Sequence, residues 1–166
     1  QNHKQVQKTA KVRRIRSGFS FTFVFWDVEH MIKLFVDGAA TGKEGYAAIG
    51  ILIVEDGVQE QIGLPLEGRM DNHRAEFEAL LHGLRHLKAQ NKQDQLIFCY
   101  TDSKLVAESI RKNYTKKTEH KLYLEETLQE LAAFTNFYLE WIPEKENKGA
   151  DNLAKKALYQ LTKKNK

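Results

Sequence analysis

Residues 31–42, MIKLFVDGAATG, join an apolar run to a single carboxylate and a short series of small residues. The run at 32–36 is typical of a buried β-strand. Asp37 follows it, and the small residues and glycines behind Asp37 predict a sharp turn. Such a strand presents an acid at its C-terminal end, where many active sites lie, although strands also end on acids without a chemical role. The interpretation therefore depends on whether other acids join Asp37.

The rest of the sequence predicts a mixed α/β fold. An Asp-Gly pair at 56–57 lies between two apolar runs and strongly favours a β-hairpin. The elements expected from apolar periodicity are strands at 32–36, 46–55 and 58–64, a helix at 73–90, a strand at 96–101, helices at 103–113 and 119–133, a strand at 136–142, and a last helix after the loop at 143–149. Three opening strands followed by alternating helices and strands predict a five-stranded mixed sheet, antiparallel first and then parallel, flanked by helices.

Length and composition are those of one ordinary globular domain: 166 residues, 42% hydrophobic and 29% charged. No apolar segment approaches the roughly 20 residues of a membrane-spanning helix. The single cysteine, Cys99, lies in the apolar run LIFCY, which predicts a buried thiol rather than a disulfide or a reactive group. We expect a cytoplasmic protein that requires neither a membrane nor an obligate protein partner.

The net positive charge of the chain is concentrated at its start. Residues 1–30 carry six basic and two acidic side chains, which account for the whole net charge of +4, so residues 31–166 are neutral. Phenylalanine recurs at every second position over 19–25, as in a strand. This leader is either a basic arm or added edge strand, or upstream sequence outside the domain. We favour the second interpretation, since the regular pattern starts at Met31, and we assign the domain to 31–166.

Two further acids lie where the predicted elements bring them near Asp37. Asp102 directly follows the strand at 96–101, and Asp151 lies in the first turn of the last helix, whose predicted N-cap is Asn147. The carboxyl ends of parallel strands meet at one edge of a sheet, where separate segments can build a site. Acids also stabilise helix N-termini electrostatically, so Asp151 has a purely structural alternative.

The helix at 73–90 offers two more acids, Glu76 and Glu78, on opposite edges of its apolar stripe. Only one edge can face the carboxyl end of the sheet, and our candidate is Glu76. His82 and His86 have the i, i+4 spacing of a metal site, but they point away from the stripe. We expect both histidines to face solvent.

Four carboxylates in one small volume raise one another's pKa and therefore require a compensating charge. Divalent cations supply that charge. A donor set of oxygen atoms without Cys or His favours Mg²⁺ or Mn²⁺ over zinc. Two such ions about 3.5–4 Å apart form the arrangement that hydrolyses phosphodiesters. The candidate site is Asp37, Glu76, Asp102 and Asp151, with two ions as its cofactor.

Four segments, in this order and spacing, resemble the four motifs of type 1 ribonuclease H: FVDGAATG, DNHRAEFEAL, YTDSKLV and NKGADNLAKKA. The resemblance spans about residues 31–160 and implies a ribonuclease H-like fold. It also implies an endonuclease that hydrolyses the RNA strand of RNA–DNA hybrids. The metal-binding catalytic acids that it implies are Asp37, Glu76, Asp102 and Asp151. Asn72 matches a family residue that contacts the substrate near the site.

The loop before the last helix departs from the better-known members of that family. Those enzymes often carry a histidine between Trp141 and Asp151 that assists catalysis or product release, and this chain has none there. Glu144 and Glu146 are the acids of this loop. They are candidate auxiliary groups for proton transfer or metal exchange, with two solvated glutamates as the simpler alternative.

The expected nucleic-acid contacts also differ from the family pattern. Lys43 stands where the loop after the first acid commonly has an asparagine, and no inserted basic helix precedes the helix at 119–133. Residues 111–121 instead contain five basic side chains. The predicted substrate-binding residues are Gly38, Lys43, Asn72, Lys116 and Lys117.

Other protein classes fit the sequence less well. Phosphotransferases of the haloacid dehalogenase type need a second acid two residues after the first, and that position is Ala39. Sugar-kinase and actin-type ATPases need two lobes. A non-catalytic nucleic-acid-binding module on the same fold is the serious alternative, supported by the missing histidine and the neutral domain. Four clustered acids without metal would, however, repel phosphate.

Overall fold

The structure, a computed structural model, describes residues 31–165. In chain order its elements are β1 (Ile32–Ala40), β2 (Ala47–Glu55), β3 (Val58–Pro65), α1 (Asn72–Ala89), β4 (Leu96–Thr101), α2 (Lys104–Lys112), α3 (Thr118–Leu131), β5 (Asn136–Trp141), a 3₁₀ turn (Glu144–Glu146) and α4 (Lys148–Lys164). The order and type of the predicted strands and helices are confirmed. The leader and its proposed strand at 19–25 lie outside the described residues. Among residues 31–165, no helix combines the length and hydrophobicity that a membrane span requires.

The strands within the described range form one five-stranded sheet in the order β3-β2-β1-β4-β5. β1 pairs antiparallel with β2, and β2 pairs antiparallel with β3. β4 lies parallel to β1, and β5 lies parallel to β4. Short turns can join antiparallel neighbours, but parallel neighbours need longer connections, and here those connections contain helices. The predicted mixed sheet, antiparallel first and then parallel, is confirmed.

β1 does not end before Asp37, as the apolar run predicted, but continues to Ala40. Its two neighbours explain the difference. The pairing with β2 continues to Ala40 opposite Ala47, whereas the pairing with β4 stops at Val36 opposite Thr101. The antiparallel ladder therefore keeps the small residues after Asp37 extended. Asp37 lies where the parallel pairing ends and the antiparallel pairing continues.

α1 and α4 pack on opposite faces of the sheet. Gly83 of α1 lies so close to β1 that an added Cβ would be 3.3 Å from the side chains of Leu34 and Val36. Gly50 of β2 lies against the backbone of α4. Gly50 is the cross-strand partner of Asp37, and cross-strand partners share a face of the sheet. Asp37 therefore lies on the face that α4 covers.

Apolar side chains fill the space between α1 and the sheet. Fully buried members of this core include Ile32, Leu34, Ile49, Ile51, Phe77, Leu80 and Leu84. Cys99 of β4 is buried and unpaired, as predicted. Burial raises the pKa of its thiol, so the reactive thiolate is strongly disfavoured.

We expect Gly50→Ala to destabilise the fold strongly. A Cβ at this position would overlap the carbonyl oxygen of Ala150 and lie 2.6 Å from the backbone nitrogen of Ala154. Both atoms belong to the backbone of α4, so they can move only if the helix moves. The loss of unfolding free energy should reach or exceed about 3 kcal/mol, the upper end of the usual overpacking range. Denaturant unfolding of the variant and the parent measures it.

Gly63→Ala is the matched control, because Gly63 of β3 lies under the same helix. A Cβ there would be 2.9 Å from the carbonyl oxygen of Leu153, a less severe overlap. Its loss of stability should be clearly smaller. Equal losses of unfolding free energy in the two variants would contradict the conclusion that α4 lies closer to β2 at Gly50 than to β3 at Gly63.

Candidate active site

Asp37 and Asp102 meet at the carboxyl end of the parallel pair β1 and β4. Val36 pairs with Thr101, so each acid is the next residue after the last parallel pair. Asp37 is only 4% exposed, and Asp102 is partly exposed. The indole N–H of Trp141, at the end of β5, donates to the backbone carbonyl of Asp102 at 2.9 Å. This bond ties the chain that carries Asp102 to the neighbouring strand.

Glu76 reaches the same edge from the second turn of α1. The start of α1 lies directly on β1 because Gly38 has no side chain, and a Cβ there would overlap the backbone of Ala75. The N–H of Gly38 donates to Glu76 Oε2 at 3.2 Å, and the N–H of Ala40 donates to Asn72 Oδ1 at 2.7 Å. Two hydrogen bonds therefore fix the start of the helix on the last residues of β1.

The structure separates Glu76 from Glu78 in the way that the helix-face argument predicts. One carboxylate oxygen from each of Asp37, Glu76 and Asp102 lies within 4.8 Å of the other two. We call these residues the acidic triad. Glu78 instead lies beside His82, with 3.4 Å between its Oε2 and the imidazole Nδ1.

Asp151 adjoins the acidic triad from the first turn of α4 without belonging to the same close group. Its negative charge contributes to raising the pKa of both Asp37 and Asp102, so the three carboxylates interact electrostatically. Its direct partner is Lys155, one turn further along α4, whose Nζ donates to Asp151 Oδ2 at 2.8 Å. The fourth predicted acid is therefore beside the triad and already paired with a cation.

Burial and nearby negative charge raise the pKa of each member of the acidic triad. Burial first, and then the charge of Asp102, raises the pKa of Asp37 to about 8. Burial, followed by the charge of Asp37, raises the pKa of Glu76 well above its usual value. Burial is also the largest cause of the raised pKa of Asp102. Each of these carboxyl groups therefore binds a proton more readily than a free carboxyl group, and a metal cation would compete with that proton.

The acidic triad fits a hard divalent cation. Its donor atoms are carboxylate oxygens, which suit Mg²⁺ and Mn²⁺ better than softer metals. Because one carboxylate oxygen from each residue lies within 4.8 Å of the other two, the three side chains are near enough to bind one ion. The raised pKa values indicate negative charge that the surrounding groups do not fully compensate.

Asn147 is a site residue whose role sequence analysis missed. It occupies the N-cap position of α4, as predicted, but its side chain makes no capping hydrogen bond. Its Nδ2 instead donates to the carbonyl of Val36 at 3.0 Å, and a hydrogen bond from its side chain lowers the pKa of Asp102. The contact joins the start of α4 to β1 directly before Asp37. Its partners are distant in sequence, so no local pattern could identify it.

One cleft borders the acidic triad, and a second cleft adjoins the first and brings several predicted substrate-binding residues together. The lining of the first cleft, about 420 Å³, includes Asn72, His73, Glu76, Asp102, Ser103 and Trp141. The lining of the second, about 640 Å³, includes Gly42, Lys43, Asn72, His73, Arg74 and Lys117. Asn72 and His73 border both clefts. Lys43 and Lys117 therefore face a cleft that meets the triad's cleft at Asn72 and His73.

The remaining candidates lie at different depths. Gly38 is buried, whereas Lys116 is exposed. Glu144 and Glu146 are exposed in the 3₁₀ turn before α4. Glu144 is near enough to contribute to the raised pKa of Asp102. Of the two loop glutamates, Glu144 therefore has the clearer electrostatic connection to the triad.

The expectation that both helix histidines simply face solvent was wrong for His86. Its Nε2 lies 2.7 Å from Glu60 Oε1, so the side chain links α1 to β3. Sequence periodicity placed His86 off the apolar stripe correctly, but it could not show that an edge strand reaches that side of the helix. His82 is partly exposed and contacts the carbonyl of Glu78 on its own helix.

The sheet order and the acids at its edge define an α/β domain of the ribonuclease H-like class. A family model described as "Reverse transcriptase-like" matches residues 35–157, most of the chain. The chain belongs to this family.

Individual relatives agree with that assignment. A protein of Enterococcus faecalis (strain ATCC 700802 / V583) named "Putative hydrolase EbsB" is 37% identical over 131 residues, 79% of this chain and 96% of that protein. RNase H1 from the halophilic archaeon Halobacterium salinarum NRC-1 has a similar structure, with 28% identity, a TM-score of 0.72, and coverage of 78% of this chain and 98% of that one. LC11-RNase H1 in complex with an RNA/DNA hybrid is 25% identical, with a TM-score of 0.72 and coverage of 79% and 99%. The fold is that of type 1 ribonucleases H.

We expect Asp37→Asn to make the metal-free protein less sensitive to rising pH. The pKa of Asp37 is raised from 3.8 to about 8 on folding, so the folded state favours its protonated form. The resulting stability is complete below pH 3.8 and is lost as the pH rises through about 8. The asparagine variant lacks this loss and should melt at a higher temperature than the parent at pH 8.

The measurement is thermal melting of both proteins in chelator across that pH range. The difference between the two melting temperatures isolates position 37 from the other ionisable groups. A constant difference at all pH values would contradict the raised pKa of Asp37.

Proposed function

We propose that this protein hydrolyses the RNA strand of RNA–DNA hybrids. The single observation that carries the proposal is the convergence of Asp37, Glu76 and Asp102 at one edge of the sheet, with Asp151 beside them. Such a charged group gains nothing from burial unless it has a chemical task, because burial destabilises ionised carboxylates. The domain that carries the activity is the part of the chain from residue 31 onward.

The acidic triad would hold Mg²⁺ or Mn²⁺, and Asp151 would complete the site for a second ion. Two bound divalent ions activate water for attack on the phosphodiester and stabilise the leaving oxygen. The task of the chain is to keep the carboxylates in place before an ion arrives. The Gly38 N–H holds Glu76, and the Asn147 side chain holds the chain at Val36 and Asp102.

Lys155 adjusts the charge of this site. Its ammonium pairs with Asp151 and lies on the exposed side of α4. The pair offsets one negative charge at the edge of the cluster, which limits the repulsion that Asp37 experiences. Asp151 can exchange Lys155 for a metal ion by side-chain rotation, because the ammonium is solvent-accessible.

The hybrid would bind across the second cleft, which is lined by Lys43, Asn72 and Lys117 and adjoins the cleft of the acidic triad at Asn72. The ammonium groups would contact phosphates, and the amide of Asn72 already accepts a hydrogen bond from β1 with its oxygen, so its NH₂ group remains to donate to the substrate. Discrimination of RNA from DNA would depend on the 2′-hydroxyl and on the shape of the hybrid. Phosphate contacts themselves supply affinity without sequence preference.

The loop at 142–150 contains no histidine. A general base typically contributes about 10²–10⁴-fold to a rate, so we propose a slower enzyme rather than an inactive one. Glu144 is the better placed of the two loop acids to assist, because its charge already acts on Asp102.

The alternative function is a non-catalytic nucleic-acid-binding module on the same fold. The missing histidine and the absence of net charge over 31–166 favour it. Cleavage of a labelled hybrid with Mg²⁺ and with Mn²⁺ separates the two functions. Hybrid binding without cleavage under both conditions would establish the binding module.

We expect Glu76→Gln and Asp102→Asn each to abolish hybrid cleavage while the fold is retained. Each change removes a charge from the acidic triad with little change in volume. Single-turnover cleavage of a hybrid measures the rate, and circular dichroism verifies the fold.

Glu78→Gln is the matched control, because Glu78 lies on the same helix but contacts His82 outside the triad. Its cleavage rate should stay within about twofold of the parent, since it touches no reacting group. An active Glu76→Gln variant together with an inactive Glu78→Gln variant would overturn the assignment of Glu76.

Replacement of Lys116 and Lys117 by Ala should weaken the salt dependence of hybrid binding. Each lost phosphate contact lowers the slope of log K against log salt by up to about 0.9. Binding measured by fluorescence anisotropy at several salt concentrations gives the slope. The cleavage rate at saturating hybrid should be unchanged.

The control replaces Lys163 and Lys164, two exposed lysines in the last turn of α4. It removes the same charge at two positions that do not line the second cleft. An equal decrease of the slope in both double variants would mean that charge alone, and not a contact at 116–117, changes the affinity.

A further inference from the structure

A second group of potential metal ligands lies outside the acidic triad, where the starts of α1 and α3 come together. Asp71 is the N-cap of α1, and Glu119 and His120 lie in the first turn of α3. One potential ligand atom from each of these three residues lies within 4.8 Å of the other two. We call these residues the histidine cluster.

His120 is the unusual member of this cluster. Its side chain is completely buried, at 0% exposure, and neither ring nitrogen has a hydrogen-bond partner among residues 31–165. The rings of Phe77 and His73 pack against it, each with a centroid distance of 5.9 Å. A buried polar group without a partner is destabilising, so a ligand that binds this imidazole would stabilise the folded chain.

The chemistry of the neighbours indicates what is missing. A neutral imidazole has one N–H donor and one nitrogen acceptor. The nearby carboxylates of Asp71 and Glu119 can accept a hydrogen bond from the ring, but ionised carboxylates cannot donate one to its acceptor nitrogen. Burial lowers the pKa of His120, so a second ring proton is disfavoured as well. The acceptor nitrogen therefore needs a donor or an electrophile that these neighbours do not supply.

We propose that Asp71, Glu119 and His120 form a site for a divalent transition-metal ion, of which Zn²⁺ is the representative. One imidazole nitrogen and two carboxylate oxygens are a donor set that suits zinc, with water in the fourth position. Ligand atoms around a tetrahedral zinc ion lie about 3.4 Å apart, from bond lengths of about 2.1 Å. His120 Nε2 and Glu119 Oε1 are already separated by only 3.7 Å.

Small side-chain movements would complete the geometry. Glu119 is 51% exposed and can rotate. Its exposed contact with Lys117, at 3.6 Å, is weak and easily exchanged for a metal. Asp71 uses Oδ1 to accept from the N–H and side chain of Arg74, which leaves its second oxygen for an ion. That cap also fixes the carboxylate before binding.

Two influences oppose a cation here. Arg74 and Lys117 are cationic neighbours, and the N-termini of two helices carry partial positive charge. Each helix effect is weak and confined to the first turn, so it is small beside the contribution of three direct ligands to a zinc site. The site is chemically different from the oxygen-only acidic triad and does not depend on nuclease activity.

The test uses the full chain in an Asp37→Asn/Asp102→Asn background, which removes two of the three ligands of the acidic triad. Isothermal titration with Zn²⁺ should show one equivalent bound. Co²⁺ in its place should give the visible absorption of a nitrogen-containing low-coordinate site. Zn²⁺ should also raise the melting temperature, because an ion that binds only the folded state stabilises it.

In that background, Glu119→Gln, Asp71→Asn and His120→Asn should each weaken Zn²⁺ binding by more than about 10-fold, since even loss of an indirect ligand contact costs 10–100-fold. Asn at position 71 can still cap α1. The matched control is Glu125→Gln, an exposed acid on the same helix, which should leave the affinity unchanged. If His120→Asn does not fold, the other two variants decide. Absence of Zn²⁺ binding in the background protein, or affinity unchanged by Glu119→Gln and Asp71→Asn, would overturn the proposal.

Discussion

The position of β1 between two strands of opposite direction is the constraint on which the rest of the site depends. Its parallel pairing with β4 stops at Val36 and Thr101, while its antiparallel pairing with β2 continues to Ala40. Asp37 and Asp102 therefore lie side by side, but only Asp37 is still part of a paired strand. Asp37 is held in a continuing ladder and is buried, whereas Asp102 begins a turn into α2 and remains partly exposed.

Two close backbone approaches bring the other acids to that edge. Gly38 allows the start of α1 to lie on β1, which delivers Glu76, and Gly50 allows α4 to lie on β2, which delivers Asp151. Hydrogen bonds then fix the approach, from Gly38 to Glu76 and from Asn147 to Val36. The same contacts that pack the helices thus also position the carboxylates, so the packing of the fold and the geometry of the candidate site depend on the same residues.

The assembled acids create an electrostatic conflict that packing alone does not resolve. Burial and like charges raise the pKa values of the acidic triad. The fold therefore makes ionisation of these carboxylates unfavourable, and a bound divalent cation would stabilise their ionised form. Such opposition between local stability and charge is common at functional sites. The histidine cluster at the starts of α1 and α3 presents the opposite case, a neutral buried ring beside two acids.

The sequence by itself determined the order and type of the elements, because apolar periodicity follows directly from burial on one helix stripe or one strand face. It also identified the four acids as candidate site residues, since each follows a predicted strand or lies in the opening turns of a predicted helix. Tertiary structure alone decided the continuation of β1 beyond Asp37, the pairing of His86 with Glu60, and the buried bond from Asn147 to Val36. Each of these depends on a partner that is distant in the chain, and a local pattern contains no information about which distant backbone or side chain the fold will place beside it.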